Sequence, residues 1–304
     1  MKCFITGATG FIGSAVTKRL LENNHQVTGL THSPDKAETL QKKGVTPVVG
    51  DMRQPETWIS AVEDAESIIH TATLPVPSRP NKKYLRKLKQ AQETVVSSLI
   101  ESARSCRVFV YTSGMTVYGT GKDTKTEASE IDPVELAKPY VAGERLLMDA
   151  WEKNEFPVMI LRPAGVYGAG GIFAKYWTTP ISKGKRAPYP GSGVQVKSFV
   201  SVEDCAEAYI RSVENPVPGE IFNVADDAPV AFGALIRYLA HEMDAPKPFG
   251  IPAPVFRLVG GKILANMLLT DMIISNQKMK EKLGVELRYP TYREGIAALA
   301  EKYN

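Results

Sequence analysis

The sequence predicts an α/β fold in which a doubly wound parallel sheet is joined to a smaller C-terminal lobe. Short apolar segments typical of buried strands alternate with amphipathic helical segments through the first half of the chain. A glycine-rich turn lies between the first strand and the first helix. With 304 residues, of which 43% are hydrophobic, the chain is long enough to bury a complete core.

The first element is an apolar strand at residues 3–6, which runs into a glycine turn at 7–13. A helix is expected at 14–24, where apolar residues recur at helical spacing. Glycines let backbone N–H groups approach a pyrophosphate closely, and the helix N-terminus that follows favours an anion. The turn therefore predicts a dinucleotide site in a Rossmann-type fold. The residues expected to hold the dinucleotide here are Gly7, Thr9, Gly10, Phe11, Ile12 and Gly13.

Five further strands are expected before Pro163. They cover residues 26–31, 45–50, 67–71, 108–113 and 158–162. Helical segments, including apolar stretches at 84–104 and 136–151, fill the gaps between them. Because this alternation is typical of parallel strands, ligands are expected at the sheet edge formed by the strands' carboxyl ends. Residues 1–162 are thus predicted to form the dinucleotide-binding domain.

The alternation loosens after Pro163. Gly- and Pro-rich loops are followed by a strand-like segment at 197–202, a helix from Glu203 and a helical tail. Residues 163–304 are therefore expected to form mainly a substrate-binding lobe, with segments at about 195–225 returning to the first domain.

One apolar stretch, at residues 251–269, is long enough to need an interpretation. It is not expected to span a membrane, because Arg257, Lys262 and Asn266 interrupt it. We interpret it as a helix packed on its own core, with an apolar lid or a subunit contact as the alternatives.

Composition excludes several function classes. A net charge of +4, from 37 basic and 33 acidic residues, comes without a concentrated basic block, so nucleic acid is not an expected partner. Cys3, Cys106 and Cys205 lie far apart without metal-type spacing, so neither a disulfide framework nor a metal site is predicted. No signal-peptide pattern precedes the first strand, and a cytoplasmic protein is expected.

Residues after the second and third strands bear on the type of dinucleotide. The acid that would bind a ribose 2′-hydroxyl is missing at the end of the second strand. His32, Ser33 and Lys36 can meet a 2′-phosphate instead, although such loop residues are often simply solvated, and NADP is slightly favoured over NAD. Asp51 and Met52 follow the third strand, where the aspartate is expected to accept a hydrogen bond from adenine, with completion of a turn as the alternative.

Seven motifs in order along the chain carry a family resemblance. They are Gly7-x-x-Gly10-x-x-Gly13, Asp51-Met52, Ile69-His70-Thr71-Ala72, Tyr111-Thr112-Ser113-Gly114, Val117-Tyr118-Gly119, Leu161-Arg162-Pro163 through Val166-Tyr167-Gly168, and Phe199 through Asp204. With them the chain resembles the extended short-chain dehydrogenase/reductases, the NAD-dependent epimerase/dehydratase group. The resemblance implies bound NAD or NADP and, by analogy, a homodimer paired through the helices at 84–104 and 136–151. It assigns further cofactor contacts to Thr71, Ala72, Thr73, Tyr140, Pro163 and Val166.

Members of that family use a tyrosine, a lysine and a serine or threonine. Tyr140, at a helix start after Pro139, matches the tyrosine, which exchanges a proton with the substrate. Glu144 stands one helical turn later, where the resemblance implies the lysine. A carboxylate there is expected to raise the pKa of Tyr140, which suits carbonyl reduction better than alcohol oxidation. Glu144 is expected either to bind ribose hydroxyls or to mark a different mechanism.

The hydroxyl position of this motif falls at Gly114. Thr112, Ser113 and Thr116 are the nearby hydroxyls and are candidates to hold a substrate oxygen, although strand-end hydroxyls also commonly satisfy backbone groups.

The expected function is that of an NAD(P)-dependent oxidoreductase or epimerase/dehydratase acting on a small-molecule hydroxyl or carbonyl substrate. A nucleotide sugar is disfavoured, because Lys197 and Ser201 stand where many members carry an arginine and often a histidine. The alternative is a non-redox nucleotide-binding sensor or regulatory protein, since Gly114 and Glu144 both depart from the catalytic motif.

Overall fold

The computed structural model describes residues 1–103 and 105–303. In chain order its strands are β1 (Lys2–Thr6), β2 (Gln26–Thr31), β3 (Thr46–Val49), β4 (Ser67–His70), β5 (Val108–Thr112), β6 (Thr124–Lys125), β7 (Val158–Pro163), β8 (Gly165–Tyr167), β9 (Pro188–Pro190), β10 (Val196–Lys197), β11 (Phe199–Ser201), β12 (Ile221–Val224), β13 (Val230–Ala231), β14 (Phe249–Ile251) and β15 (Ile273–Ile274). Its helices are α1 (Phe11–Glu22), α2 (Pro34–Lys42), α3 (Lys82–Ser102), α4 (Lys138–Asn154), α5 (Gly171–Phe173), α6 (Thr179–Ser182), α7 (Val202–Glu214), α8 (Phe232–Glu242), α9 (Ala253–Leu268), α10 (Gln277–Leu283) and α11 (Tyr292–Ala300).

Seven strands form one parallel sheet in the order β12-β7-β5-β4-β1-β2-β3. The predicted α/β fold with a doubly wound sheet is confirmed. Alternate residues of each strand face opposite sides: Val110 and Leu161 join the core beneath α1 and α7, whereas Phe109 and Ile160 join the core beneath α3 and α4. Since both faces are buried, all loops that can line a ligand site meet at the edge formed by the carboxyl ends.

The expected element boundaries differ from the observed ones in informative places. The segment at 197–202 is two strands, because the chain changes partners at Ser198: β10 pairs antiparallel with β13, and β11 pairs parallel with β8. The helix expected at 84–104 begins earlier, at Lys82, where Asn81 caps it by accepting a hydrogen bond from Tyr84 N–H. Its expected last residue, Arg104, lies outside the described residues.

The apolar stretch at 251–269 forms β14 and α9, with a kink at Gly261, where φ is 78°. Its first half does not pack on its own core as expected, because Val255, Leu258 and Val259 are 48%, 72% and 70% exposed. Apolar residues occur on every side of this helix, so one contact face cannot bury them all. None of the helices in the described part of the chain combines the length and apolar character needed to cross a bilayer.

A buried ion pair fixes α4 against the sheet. The carboxylate of Glu144 accepts two hydrogen bonds from Arg162 of β7, at 3.0 Å from Nε and 2.6 Å from the terminal nitrogen. Both side chains are almost fully buried. The other terminal guanidinium nitrogen donates to the hydroxyl of Tyr118 at 2.7 Å, and that hydroxyl donates to Asn223 Oδ1 at 2.8 Å. The array therefore joins α4, β7, β12 and the turn after β5.

A second buried polar array joins the ends of β1 and β4 to α3 and β5. Thr6 Oγ1 donates to His70 Nδ1 at 2.7 Å, and His70 Nε2 donates to Gln92 Oε1 at 3.0 Å. The hydroxyl of Tyr111 also donates to Gln92 Oε1, and Gln92 Nε2 donates to the carbonyl of Ala72. Burial lowers the pKa of His70 to about 4, so its ring is neutral at neutral pH.

Arg162→Met is expected to lower the free energy of unfolding by about 3–5 kcal/mol, because it leaves the Glu144 carboxylate buried without its partner. The double variant Arg162→Met with Glu144→Leu should recover most of that loss. Urea unfolding followed by circular dichroism measures both. The control is Lys18→Gln, which breaks only an exposed pair with Glu22 and should change stability by less than about 0.5 kcal/mol. A similar loss for Arg162→Met and Lys18→Gln would contradict the assignment.

The neutral His70 ring predicts acid lability. Unfolded His70 takes up its proton near pH 6.5 and the folded group only near 4, so the unfolded state binds more protons between these values. Stability is therefore expected to fall, by about 2–3 kcal/mol from this group, as pH drops from about 6.5 to 4. The measurement is the difference between wild type and His70→Asn in unfolding free energy at several pH values, since other titrating groups cancel. Parallel pH dependences for the two proteins would rule out this origin.

Candidate nucleotide-binding site

The glycine turn between β1 and α1 forms a cradle that only glycine fits. Gly7 has φ 79°, a left-handed conformation that favours glycine, and a Cβ there would lie 2.7 Å from Thr71 Oγ1. A Cβ on Gly13 would overlap the carbonyl oxygen of Gly7. Gly10 stands at the N-terminus of α1, where no side chain caps the helix, so first-turn N–H groups remain for an anion. These features fit a dinucleotide pyrophosphate.

A ribbon of glycines covers this cradle. Cβ atoms on Gly168, Gly170 and Gly171 would each lie 2.7–3.1 Å from the ring of Phe11. Thr9 and Ile12 are partly exposed beside it, as expected for residues that line a ligand site. The segment after β8 is thus held directly over the turn that would hold the pyrophosphate.

The loop after β4 connects the cradle to the predicted catalytic tyrosine. Thr71 Oγ1 donates to the carbonyl of Thr6 at 2.8 Å, and Ala72 is tied to α3 through its carbonyl. Thr73 Oγ1 lies 2.6 Å from the hydroxyl of Tyr140. The fold therefore brings Tyr140 to the same edge as Thr71 and Thr73, although Tyr140 is 67 residues beyond Thr73 in the sequence.

Tyr140 is a neutral phenol with one hydroxyl partner. Burial raises the pKa of Tyr140, and the hydrogen bond with Thr73 opposes that shift. The direction agrees with the expectation from sequence, but the cause is burial, not the carboxylate of Glu144. Within residues 1–103 and 105–303, Thr73 is the only hydrogen-bond partner found for this hydroxyl.

Glu144 does not lie where the sequence reading placed it. Its two carboxylate oxygens are bound by Arg162 in the core, so it neither presents a charge to Tyr140 nor offers oxygens to ribose. Arg162 was missed as its partner because the two residues are eighteen apart and on different elements. A glutamate on a predicted helix and an arginine within an apolar strand were the only signals in the sequence.

The three candidate hydroxyls near Gly114 differ in position and in hydrogen-bond partners. Thr112 lies on the face of the sheet that α7 covers, where its Oγ1 is 2.8 Å from the hydroxyl of Tyr209. Ser113 Oγ is fully buried and has no hydrogen-bond partner within the described residues. Thr116 is partly exposed, and its Oγ1 lies 3.8 Å from a Cβ built on Gly114. The hydroxyl of Thr116 is thus a neighbour of the position that a side chain at Gly114 would occupy.

Gly114 itself is not required by the backbone. Its φ of 178° is extended, and a Cβ there would make only ordinary contacts, 3.7 Å from the carbonyl oxygen of Pro163. The ends of β5 and β7 therefore meet beside this glycine. Val166, which was expected to contact the cofactor, is held in β8 by pairing with Val200.

The residues predicted to contact the adenosine part of the dinucleotide lie just after β2 and β3. His32 is exposed, and Ser33 caps α2 by accepting from Lys36 N–H at 3.5 Å, while the Lys36 side chain is exposed. The carboxylate of Asp51 accepts hydrogen bonds from the Arg53 side chain and backbone, and that side-chain bond lowers the pKa of Asp51.

Asp51 therefore completes a turn, which was the alternative to adenine binding. Met52 packs against the core beneath α3. Arg53 was missed by the sequence reading, although a basic residue two positions after Asp51 was visible.

The two residues that disfavoured a nucleotide sugar in the sequence make hydrogen bonds within the protein. Lys197 is buried, and its ammonium donates to the carbonyls of Met267 and Thr270 at the end of α9. Burial lowers the pKa of Lys197 to about 8. Ser201 caps α7, and its hydroxyl donates to Asp204. Neither side chain is free to meet a phosphate or a sugar.

Known proteins share this architecture. The sequence profile of the NAD dependent epimerase/dehydratase family matches residues 3–225. A 3-diazoavenalumate denitrifying reductase of Streptomyces sp is 24% identical over 97% of this chain and 99% of the relative. The human epimerase family protein SDR39U1, solved with NADPH, superimposes with a TM-score of 0.84 at 17% identity, covering 99% of each chain.

A UDP-glucuronic acid 4-epimerase of Bacillus cereus, solved with UDP-glucuronic acid and NAD, superimposes with a TM-score of 0.83 at 19% identity, covering 100% of this chain and 99% of that one. These likenesses agree with the seven-stranded sheet, and the profile match spans the glycine turn, the loop after β4 and α4. The chain therefore belongs to the NAD dependent epimerase/dehydratase family.

Proposed function

We propose that this chain is an NADP-dependent reductase of a small carbonyl compound, with Tyr140 as the proton donor. The observation that carries the proposal is the hydroxyl of Tyr140, held 2.6 Å from Thr73 at the same sheet edge as the glycine cradle. The Streptomyces relative with nearly full mutual coverage is named as a reductase, which agrees with this direction of reaction.

The bound nicotinamide would supply hydride to the carbonyl carbon. Tyr140 then gives its phenolic proton to the carbonyl oxygen as that oxygen gains negative charge, and it recovers a proton from water. At neutral pH an ordinary tyrosine is protonated, and burial raises the pKa of Tyr140 further, so the phenol is in the form that can donate. Alcohol oxidation needs the phenolate as a base, which the same burial disfavours.

Thr116 is proposed to orient the substrate oxygen. Its hydroxyl lies beside Gly114, where no side chain intervenes, so a substrate group can approach the carbonyl of Pro163. The commitment of Lys197 and Ser201 to internal contacts favours a substrate without a nucleotide or sugar. Of the sequence candidates, Thr112, Ser113 and Glu144 are left without a catalytic role.

NADP is preferred in this proposal because basic side chains lie around the ends of β2 and β3. Arg53 contacts Asp51 at the end of β3, and His32 stands at the end of β2, beside the place where a ribose 2′-substituent would lie. The N-terminus of α2 at Ser33 adds backbone N–H groups directed at the same place. The human relative was solved with NADPH.

Tyr140→Phe is expected to lower kcat for carbonyl reduction by about 10²–10⁴-fold, because the proton donor is removed. Cofactor affinity should stay within about twofold. A panel of aldehydes and ketones, followed by loss of NADPH absorbance, identifies a substrate for the assay, and calorimetry measures the cofactor. The matched control is Tyr303→Phe, whose side chain is exposed beyond the end of α11.

Full turnover in Tyr140→Phe would remove the proposed proton donor. Tight cofactor binding with no reduction of any carbonyl by wild type would favour the non-redox nucleotide-binding alternative instead.

Arg53→Ala is expected to weaken NADPH binding by about tenfold while leaving NADH binding unchanged, because a charge-assisted contact to the 2′-phosphate is lost. Separate calorimetric titrations with the two nucleotides measure this. Lys43→Ala, at the opposite end of α2, is the control for a change in overall charge. Equal weakening of NADPH and NADH would contradict 2′-phosphate recognition by Arg53.

A further inference from the structure

A groove outside the nucleotide site lies between the first turns of α3 and α4. It encloses about 360 Å³, within the range of small-molecule sites, and it is lined by Lys82, Leu85, Arg86, Lys89, Glu135, Lys138 and Pro139. None of these residues belongs to the cradle, to the loop after β4 or to the hydroxyl cluster. The groove is therefore separate from the proposed reductase site, although Pro139 is next to Tyr140 in the chain.

The groove carries an excess of positive charge. Four cations and one carboxylate line it. Lys138 pairs with Glu135 at 2.5 Å, and Lys89 pairs with Glu93 on its own helix. Lys82 and Arg86 have no acidic partner within 4 Å among residues 1–103 and 105–303. The N-terminus of α4 opens onto the groove without a side-chain cap, which adds its positive end.

The floor of the groove is apolar. Leu85 and Pro139 are buried residues whose side chains form part of its wall. The hydrocarbon stems of the surrounding lysines and arginine extend that apolar surface, with their charges at the rim. A fully hydrated ion would leave this floor exposed to water, and an uncharged apolar molecule would leave the rim cations unpaired.

We propose that this groove binds an amphipathic anion, a short apolar chain or ring that carries one carboxylate or phosphate. The apolar body lies on Leu85 and Pro139, and the anionic head meets Lys82 and Arg86.

The test uses three probes that separate the two parts of the site: octanoate, 1-octanol and acetate. Each is titrated by calorimetry into the full chain, with and without NADPH. Octanoate is expected to bind at least about tenfold more tightly than 1-octanol, and acetate should not bind measurably. Added salt should weaken octanoate and leave 1-octanol unchanged.

The groove variant is Lys82→Gln with Arg86→Gln, which is expected to weaken octanoate about fivefold. The matched control is Lys83→Gln with Lys87→Gln, which removes the same charge from exposed positions of α3 that do not line the groove. The control should bind octanoate as wild type does. All four positions are exposed, so both variants are expected to fold.

Three results would overturn the proposal. Equal affinity for octanoate and 1-octanol would mean that the rim cations contact no head group. Equal weakening in the groove and control variants would reduce the effect to overall charge. Competition between octanoate and NADPH would place the anion in the nucleotide site.

Discussion

The buried pairing of Glu144 with Arg162 is the interaction on which the proposed catalytic edge depends. Two opposite charges in the core are tolerable only in fixed geometry, because each is costly to bury alone. The pair therefore holds α4 at one position and rotation relative to β7. That rotation directs Tyr140, one turn earlier, to the loop after β4 and places its hydroxyl against Thr73. A charge pair with no contact to a ligand thus sets the position of the one group proposed to transfer a proton.

The fold followed from sequence because its signals are local. The alternation of strands and helices, the glycine turn and the bounds of β2 depend on residues within one element and its neighbours. Three features could not be predicted, because they depend on contacts between residues that are distant in the sequence. Glu144 was expected to face a tyrosine one turn away, but its partner is on β7. Thr112 was expected near substrate, but it meets Tyr209 on the face that α7 covers. The helix α9 was expected to pack on its own core, but its first half is exposed, because burial of a helix depends on how the rest of the chain packs around it.

In the candidate site, too, features with local causes could be predicted, whereas features that depend on long-range contacts could not. Glycine positions could be predicted because their requirement is steric and concerns a turn of seven residues. Side-chain roles could not, since each hydroxyl and carboxylate at the strand ends has several possible partners within reach. Asp51 illustrates this: the residue next to adenine in the sequence reading is instead bound by Arg53, two positions on. The structure decides between such partners through the direction in which each strand ends.

The contact between Phe11 and the ribbon from Gly168 to Gly171 has a consequence for reading mutational data. These glycines are about 160 residues from the turn that they cover, and a Cβ on any of the three contacting positions would meet the ring. Displacement of that ring moves the start of α1, whose N–H groups would hold the pyrophosphate. A defect in nucleotide affinity can therefore arise at a position that touches no nucleotide. In a mutational scan, substitutions in the ribbon and in the turn would therefore have interdependent effects, because a change in either segment restricts which residues the other can accept.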